Sequence, residues 1–368
     1  MRIASWRAPR PPRRGRFGRP KSRLLAPEAK EVRPGSPPTF SVIVAAYQVA
    51  DVIGEALDSI RNQTLAPLEV IVCDDGSTDD LEAALTPYRD EIVFLRKENG
   101  GEASAKNAAA RAASGEFVVI LDADDVYTPE RLEAMSAFAQ ARPDLDILTT
   151  DGFIVAAGRT VRRAYDRTWR FETADQRRAI LERNFIFGLA AVRRSRVVDH
   201  GGFDESILWT TDWDLWLRLI LDGSRAGCID EPLALYRLRE TSLTARRREL
   251  LLGKLATLEK ARRNPDLVPT DRPTLESSLD AYRRELDLMD LRAAAAAGLP
   301  GARPRALKAL RAQGYAPRSR LQIAAIAAAP GAAGRILRRR ADTAWTGAAG
   351  IRVPRNPRRC GTSSSSNA

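Results

Sequence analysis

The sequence predicts an α/β fold, a mainly parallel sheet with helices on both faces, followed by a small helical C-terminal region. Three observations predict it. From Phe40 onward, short apolar runs alternate with amphipathic stretches in βαβα order. One run, Val118-Val-Ile-Leu121, is apolar throughout, as an interior parallel strand buried on both faces must be. Beyond Thr244 the texture changes to long helical patterns over 245–263, 273–297 and 303–313. At 368 residues and 44% hydrophobic, the chain has material for about two domains and a substantial core. There is no internal repeat.

Residues 1–38 are dominated by Arg, Pro and Gly and lack an apolar run long enough for a signal peptide, so a disordered cytoplasmic tail is expected there. Strands are expected at 40–46, 68–73, 91–95 and 117–121. Between them, Asp51–Asn62 places Val52, Ala56, Leu57 and Ile60 on one helix face, and Glu102–Ser114 is an Ala-rich helix ended by Gly115. Thr128-Pro129 opens a further helix with proline at its first position. Strands follow near 146–155 and 186–193, then a helix over Asp212–Leu221. The organisation expected is a tail over 1–38, a main domain over 39–244, a helical appendage over 245–316 and a basic tail over 317–368.

The formal charge is +12, but it is unevenly placed. Residues 1–35 hold eleven Lys/Arg against Glu28 and Glu31, and residues 301–368 hold fourteen against Asp342, which leaves 36–300 at −10. Basic ends around an acidic middle favour tails that meet an anionic surface over a core built on nucleic acid. No segment reaches the roughly 18–20 apolar residues needed to span a bilayer. Leu321–Pro330 comes nearest. Flanked by Arg318, Arg320 and Arg338–Arg340, it reads either as a segment resting on an anionic leaflet or as an ordinary packed helix before a basic tail. Cys73, Cys228 and Cys360 are odd in number and lack metal spacing, which fits buried thiols in a reducing compartment. His200 is the only histidine, so base chemistry falls to carboxylates.

Two acidic motifs leave the expected sheet at one edge. Val118-Val-Ile-Leu-Asp-Ala-Asp-Asp125 delivers Asp122, Asp124 and Asp125 to the carboxyl end of a strand, where ligands of open α/β sheets gather. Like charges this close need a compensating cation, and a hard divalent metal suits oxygen ligands; a solvated acidic turn is the alternative. Val70-Ile-Val-Cys73 runs into Asp74-Asp-Gly-Ser-Thr78, where Gly76 permits a tight turn and Ser77 or Thr78 can cap the following helix. A carboxylate here either accepts hydrogen bonds from a base or ribose or caps that helix. Neither a Gly-x-Gly-x-x-Gly nor a P-loop pattern is present, so a diphosphate would be held by metal and positive side chains.

Phe40-Ser-Val-Ile-Val-Ala-Ala-Tyr47, Asp74-Asp-Gly-Ser-Thr-Asp79, Asn99-Gly-Gly with Ala105-Lys-Asn107, Gly115-Glu-Phe and Leu121-Asp-Ala-Asp-Asp125, taken in order, resemble the family 2 glycosyltransferases of GT-A, Rossmann-like fold. The resemblance covers about residues 39–240. It implies a nucleotide diphosphate sugar donor and a divalent cation, Mn2+ or Mg2+. Ala45, Tyr47 and Asp75 would line the nucleobase and ribose pocket. Asp124 would be the main metal ligand, with Asp122 and Asp125 supporting it through the ribose, the diphosphate or the outer shell of the metal. Lys106 falls where the family usually has Arg, which keeps a positive partner but loses the planar fork. Ala45 replaces a common proline.

In Gly201-Gly-Phe-Asp-Glu-Ser-Ile-Leu-Trp-Thr-Thr-Asp-Trp-Asp-Leu-Trp216, the residues Asp212, Leu215, Trp216 and Leu219 recur at helical spacing. Asp212 therefore lies on the buried stripe at a helix N-terminus, as a general base or as a cap. The resemblance implies the base, although Thr211 replaces the usual Glu. Asp214 reads as a solvated first-turn acid, and Trp209, Trp213 and Trp216 as sugar-stacking or core aromatics. The implied activity is inverting transfer to a glycan or lipid-linked acceptor in cell-envelope polysaccharide, glycolipid or glycan synthesis, with peripheral contact to an anionic membrane and no nucleic acid. Alternatives are an inactive sugar-nucleotide-binding module, a haloacid-dehalogenase-like phosphatase read from Asp122-Ala-Asp-Asp-Val126, and a basic nucleic-acid-binding protein. The phosphatase motif belongs near the start of its fold, and here two strand-helix units precede it. The nucleic-acid reading requires a basic core, and this one is acidic.

Overall fold

The computed structural model describes residues 24–25, 37–156, 158–238, 247–341, 345–346 and 351–352. Cys360, most of the N-terminal tail and most of the chain past 341 lie outside them. The first strands are β1 (Leu24–Leu25), β2 (Phe40–Ala46), β3 (Glu69–Asp74), β4 (Val93–Arg96) and β5 (Phe117–Ile120), with α1 (Ile53–Arg61), α2 (Leu81–Leu85) and α3 (Glu102–Ala112) between them. Then come β6 (Val126–Tyr127), α4 (Arg131–Ala141), β7 (Ile147–Ala156), β8 (Arg159–Arg163), α5 (Gln176–Glu182), β9 (Ala191–Arg193), α6 (Arg194–Asp199), α7 (Thr211–Leu221) and β10 (Ala226–Leu238). Five helices end the main run: α8 (Arg247–Ala261), α9 (Arg272–Ala296), α10 (Ala302–Arg311), α11 (Pro317–Ala328) and α12 (Pro330–Ala341). A two-stranded pair, β11 (Trp345–Thr346) and β12 (Ile351–Arg352), follows.

The main sheet runs β1-β10-β7-β9-β5-β2-β3-β4, with β6 paired to β10 and β8 to β7. Strands β5, β2, β3 and β4 are parallel, so Ile120, Ala46, Asp74 and Arg96 end at one edge. Strands β7 and β10 are also parallel, and β9 joins the two halves by running antiparallel to both β5 and β7. Leu24–Leu25, in the stretch expected to be disordered, adds antiparallel to β10 at Cys228 and Ile229.

Side chains alternate across β2, and two apolar layers follow from that period. Ile43 joins Ile71, Val118 and Ile120 beneath α3, α5 and α7. Val42 and Val44 join Val72, Val119 and Leu121 beneath α1 and α4, where Ile53, Leu57, Ile60, Met135 and Phe138 cover them. Full burial of one such aliphatic side chain contributes about 1.5–3 kcal/mol, so the layers fix register strongly. Helix α8 and the first half of α9 extend the first layer through Leu258, Ala261, Leu275 and Leu279. The rest of α9 with α10–α12 forms a separate cluster around Leu288, Leu291, Ala306, Ile323 and Ile326.

Candidate active site

The turn after β3 is pinned to the sheet edge by its own carboxylates. Asp74 and Asp75 are buried. Asp74 Oδ1 accepts from the Ser77 amide at 2.8 Å. Asp75 accepts from Lys97 Nζ at 2.8 Å, from the Gly100 amide at 3.0 Å and from the Gly101 amide at 2.7 Å. The Asn99-Gly-Gly turn thus closes over Asp75. Gly76 has φ 76°, and a Cβ there would stand 3.0 Å from the Asn99 amide nitrogen, so glycine is required twice over. Ser77 and Thr78 do not cap the next helix as expected. Their hydroxyls accept from the Gln48 amide at 3.1 Å and from Gln48 Nε2 at 2.7 Å, and α2 starts only at Leu81 with no side-chain cap. This ties the turn to the segment after β2, where Tyr47 is half-exposed; Ala45, inside β2, is half-buried.

The acidic turn after β5 faces α3. Lys106, in the second turn of that helix, is buried and pairs with Glu102 and, at 3.1 Å, with Asp122 Oδ1. These two carboxylates raise its pKa well above the usual lysine value despite burial. Asp122 and Asp124 are partly exposed, whereas Asp125 turns inward. Asp125 Oδ1 accepts from the Arg237 amide at 2.8 Å and its Oδ2 is buried without a hydrogen-bond partner. Burial, then the charges of Asp124 and Asp122, push its carboxyl well above the usual range. Among the described residues no cluster of three His, Cys, Asp or Glu side chains could cage a metal. The donor set fits the other mode of a hard cation, in which one or two carboxylates share it with substrate phosphates.

Asp212 sits in the first turn of α7. Its Oδ1 accepts from the Trp213 amide at 2.7 Å and its Oδ2 from Asn184 Nδ2 at 3.0 Å. Burial pushes its pKa up to about 6, against the opposing pull of the Lys106 charge. Asn184 is itself oriented, its Oδ1 accepting from the Ile186 amide at 3.1 Å. Sequence reasoning misses Asn184, because a lone Asn after a short helix carries no periodic signal. It also undervalues Asn107. That amide donates to the Phe203 carbonyl at 2.8 Å and accepts from the Phe203 amide at 2.8 Å, clamping the loop that leads into α7. Gly202 (φ 76°) is needed beneath this clamp, since a Cβ there would stand 2.3 Å from Asn107 Oδ1.

One expectation around α7 is corrected, and the choice left open for Trp213 and Trp216 falls to the core. Asp214 is not solvated: it is buried and pairs with Arg218 at 2.9 Å and Lys260 at 2.9 Å, because α8 covers that side of the helix. Trp213 and Trp216 are fully buried core residues, so neither stacks on a sugar in this arrangement. Trp213 donates from Nε1 to the Ile180 carbonyl at 2.8 Å and meets Tyr282 edge-on. Trp209 stays half-exposed, with φ 75°, on the loop before α7. A cavity of 520 Å³ between α5 and α9 and one of 260 Å³ beside α1 and β3 lie apart from these carboxylates.

Residues 41–201 match the sequence profile of glycosyl transferase family 2. An uncharacterized glycosyltransferase of Rickettsia prowazekii is 32% identical over 186 residues, 49% of this chain and 58% of that protein. The chondroitin synthase of Pasteurella multocida is 32% identical over 187 residues, 50% of this chain and 19% of that protein. The chain therefore spans less than two thirds of the length of either relative. A solved mannosyltransferase of Pyrobaculum calidifontis, in complex with GDP-Man and Mn2+, superposes with a TM-score of 0.54 at 27% identity, covering 85% of this chain and 88% of that one.

Proposed function

We propose that this chain, whose residues 41–201 match the profile of glycosyl transferase family 2, is a member of that family and carries out inverting transfer of a sugar from a nucleotide diphosphate sugar to an acceptor hydroxyl. The observation that carries this reading is Asp212. A carboxylate held at a helix N-terminus, oriented by Asn184 and titrating near 6, matches what a general base at neutral pH requires. Direct displacement by a hydroxyl that loses its proton to Asp212 needs no covalent intermediate and converts an α-linked donor into a β-linked product.

Asp75 has three donors on a carboxylate with about four acceptor positions, which leaves one for a nucleobase N–H or ribose hydroxyl. Ala45 on the adjacent strand β2 and Tyr47 just beyond its end would line that pocket. Asp124, with Asp122 beside it, would hold a divalent cation shared with the diphosphate, and Asp125 would brace the turn from inside. The cation supplies charge neutralisation on the leaving group. Lys106 fixes Asp122 and keeps Asp212 more acidic than burial alone would leave it. The mannosyltransferase bound to GDP-Man and Mn2+ and the chondroitin synthase support a nucleotide-sugar donor and a glycan or lipid-linked acceptor in envelope or glycan synthesis. The basic ends support a peripheral place on the cytoplasmic face of an anionic membrane. Among the described residues no helix is long and apolar enough to cross one.

The test is a panel of nucleotide sugars with Mn2+ or Mg2+, read by nucleotide release and thermal shift. One donor should turn over, and Asp124→Ala or chelator should abolish both its turnover and its metal-enhanced binding. Full activity in chelator would remove the metal from the reaction. Donor binding without turnover against a broad acceptor panel would leave a sugar-nucleotide-binding module.

A further inference from the structure

We propose that the outer faces of α10, α11 and α12 form a docking surface for an anionic lipid bilayer. The proposal rests on the peripheral location inferred above and names the part of the fold that makes the contact. The inner side of α11 is satisfied: Ile323, Ile326 and Ala327 pack on Leu288, Leu291 and Ala295 of α9 and on Ala302 and Ala306 of α10. Its outer side is apolar too. Leu321 is 72% exposed, and Ala324, Ala325 and Ala328 continue the exposed face at helical spacing. Leu307 of α10 and Ile336 of α12 are exposed at 46% and 55%, and Leu299 before α10 at 55%. A helix apolar on both sides is normally covered on both.

Charge identifies what covers it. From Leu299 to Ala341 the sequence has ten Lys/Arg and no Asp or Glu. Arg303, Arg305, Lys308, Arg311, Arg318, Arg320 and Arg335 are all exposed. A second copy seated face to face would bring two such surfaces of one sign together, whereas an anionic leaflet neutralises the charge and accepts the leucines and isoleucine. Nucleic acid would use the charge but not the exposed aliphatic side chains. Helices α10 and α11, 10 and 12 residues long, are too short to cross a bilayer and suited to lying in its interface.

The experiment is co-sedimentation of the full chain with vesicles of phosphatidylglycerol and phosphatidylcholine, or of phosphatidylcholine alone. Binding should require phosphatidylglycerol and weaken with salt. Leu321→Glu with Ile336→Glu should lower partitioning at least tenfold with an unchanged unfolding temperature, since both side chains are exposed. Arg318→Glu, Arg320→Glu and Arg335→Glu together should do the same and flatten the salt dependence. Wild-type-like binding by both variants would overturn the proposal while leaving peripheral contact standing through the terminal segments. A wild-type chain that ignores phosphatidylglycerol vesicles would defeat both. A wild-type dimer that Leu321→Glu dissociates, with lipid binding intact, would show that a second copy covers the face.

Discussion

Replacing Asp212 with Asn should make the protein more stable and far less active. The pKa of Asp212 stands at about 6 against an ordinary aspartate value near 3.8, and its largest cause is burial. At about 1.4 kcal/mol per unit, the native state spends about 3 kcal/mol keeping this carboxylate ionised at neutral pH. The sign follows from the direction of the shift. An acid whose folded pKa is raised holds its proton more tightly when folded, so its contribution is most favourable below about 4 and is lost as pH rises through 6. Asparagine removes the charge but offers one acceptor where the carboxylate offers two. Either the Trp213 amide or Asn184 Nδ2 then faces an NH2 group, at a cost of about 1 kcal/mol. The variant should gain about 2 kcal/mol at pH 7, an increase in unfolding temperature of about 4–8 °C for a domain of this size. Below pH 4, where the carboxyl is protonated and its charge penalty is gone, the variant should instead be about 1 kcal/mol less stable than wild type. Turnover should fall by roughly 10²–10⁴ with donor affinity retained, and the wild-type kcat/KM should decline as pH drops through about 6. Paired urea titrations at pH 4 and 7 and a pH–rate profile check this. Equal stability at both pH values, or near-normal turnover, would reduce Asp212 to a helix-end contact.

Lys106→Met should move the acid limb of the pH–rate profile above 6, because the Lys106 charge is the main influence holding the Asp212 pKa down; a limb that stays at 6 would uncouple the two residues. Asp214→Ala should cost about 3–5 kcal/mol in urea unfolding, since it strips a buried carboxylate from Arg218 and Lys260 and loosens α8 from α7, and a loss under 1 kcal/mol would place these pairs in the weak surface class. Asp75→Ala should raise the donor KM about tenfold or more with little change in kcat, by releasing Lys97 and the Gly100 and Gly101 amides, whereas an unchanged KM would detach this turn from the donor.

How much of this was legible depends on where the determining contacts lie. Strands β2, β3 and β5 are local statements: Ile71-Val-Cys73 and Val118-Val-Ile-Leu121 are buried on both faces, and the sequence carries that as unbroken apolar runs. Strand β10 is not legible. Asp230-Glu231-Pro232 interrupts it, and it stays in the sheet only because register shifts on both sides of Pro232 let β7 resume pairing at Leu235. The carboxylates after β3 and β5 were legible because they leave a strand end abruptly, and Asp212 because it opens an apolar helical stripe. The burial of Asp214 was not, because its partner Lys260 arrives 46 residues later on a helix whose docking no local spacing encodes.

The same contrast explains why α3 matters more than its composition suggests. An Ala-rich helix ended by glycine reads as filler, yet its consecutive residues Lys106 and Asn107 point to different halves of the site. Lys106 reaches the acidic turn after β5 through Asp122, and Asn107 grips the backbone of Phe203 ahead of α7. The alanines are what permit this. Ala103, Ala105, Ala109 and Ala110 bring the helix close against β2 and β3, so short reaches from its backbone span both the carboxyl edge of the sheet and the loop carrying Asp212. A larger residue at Ala105 would lift α3 from the sheet and separate the two carboxylate groups together. The spacing between the proposed donor and base halves is therefore set by a helix that carries none of the proposed site aspartates.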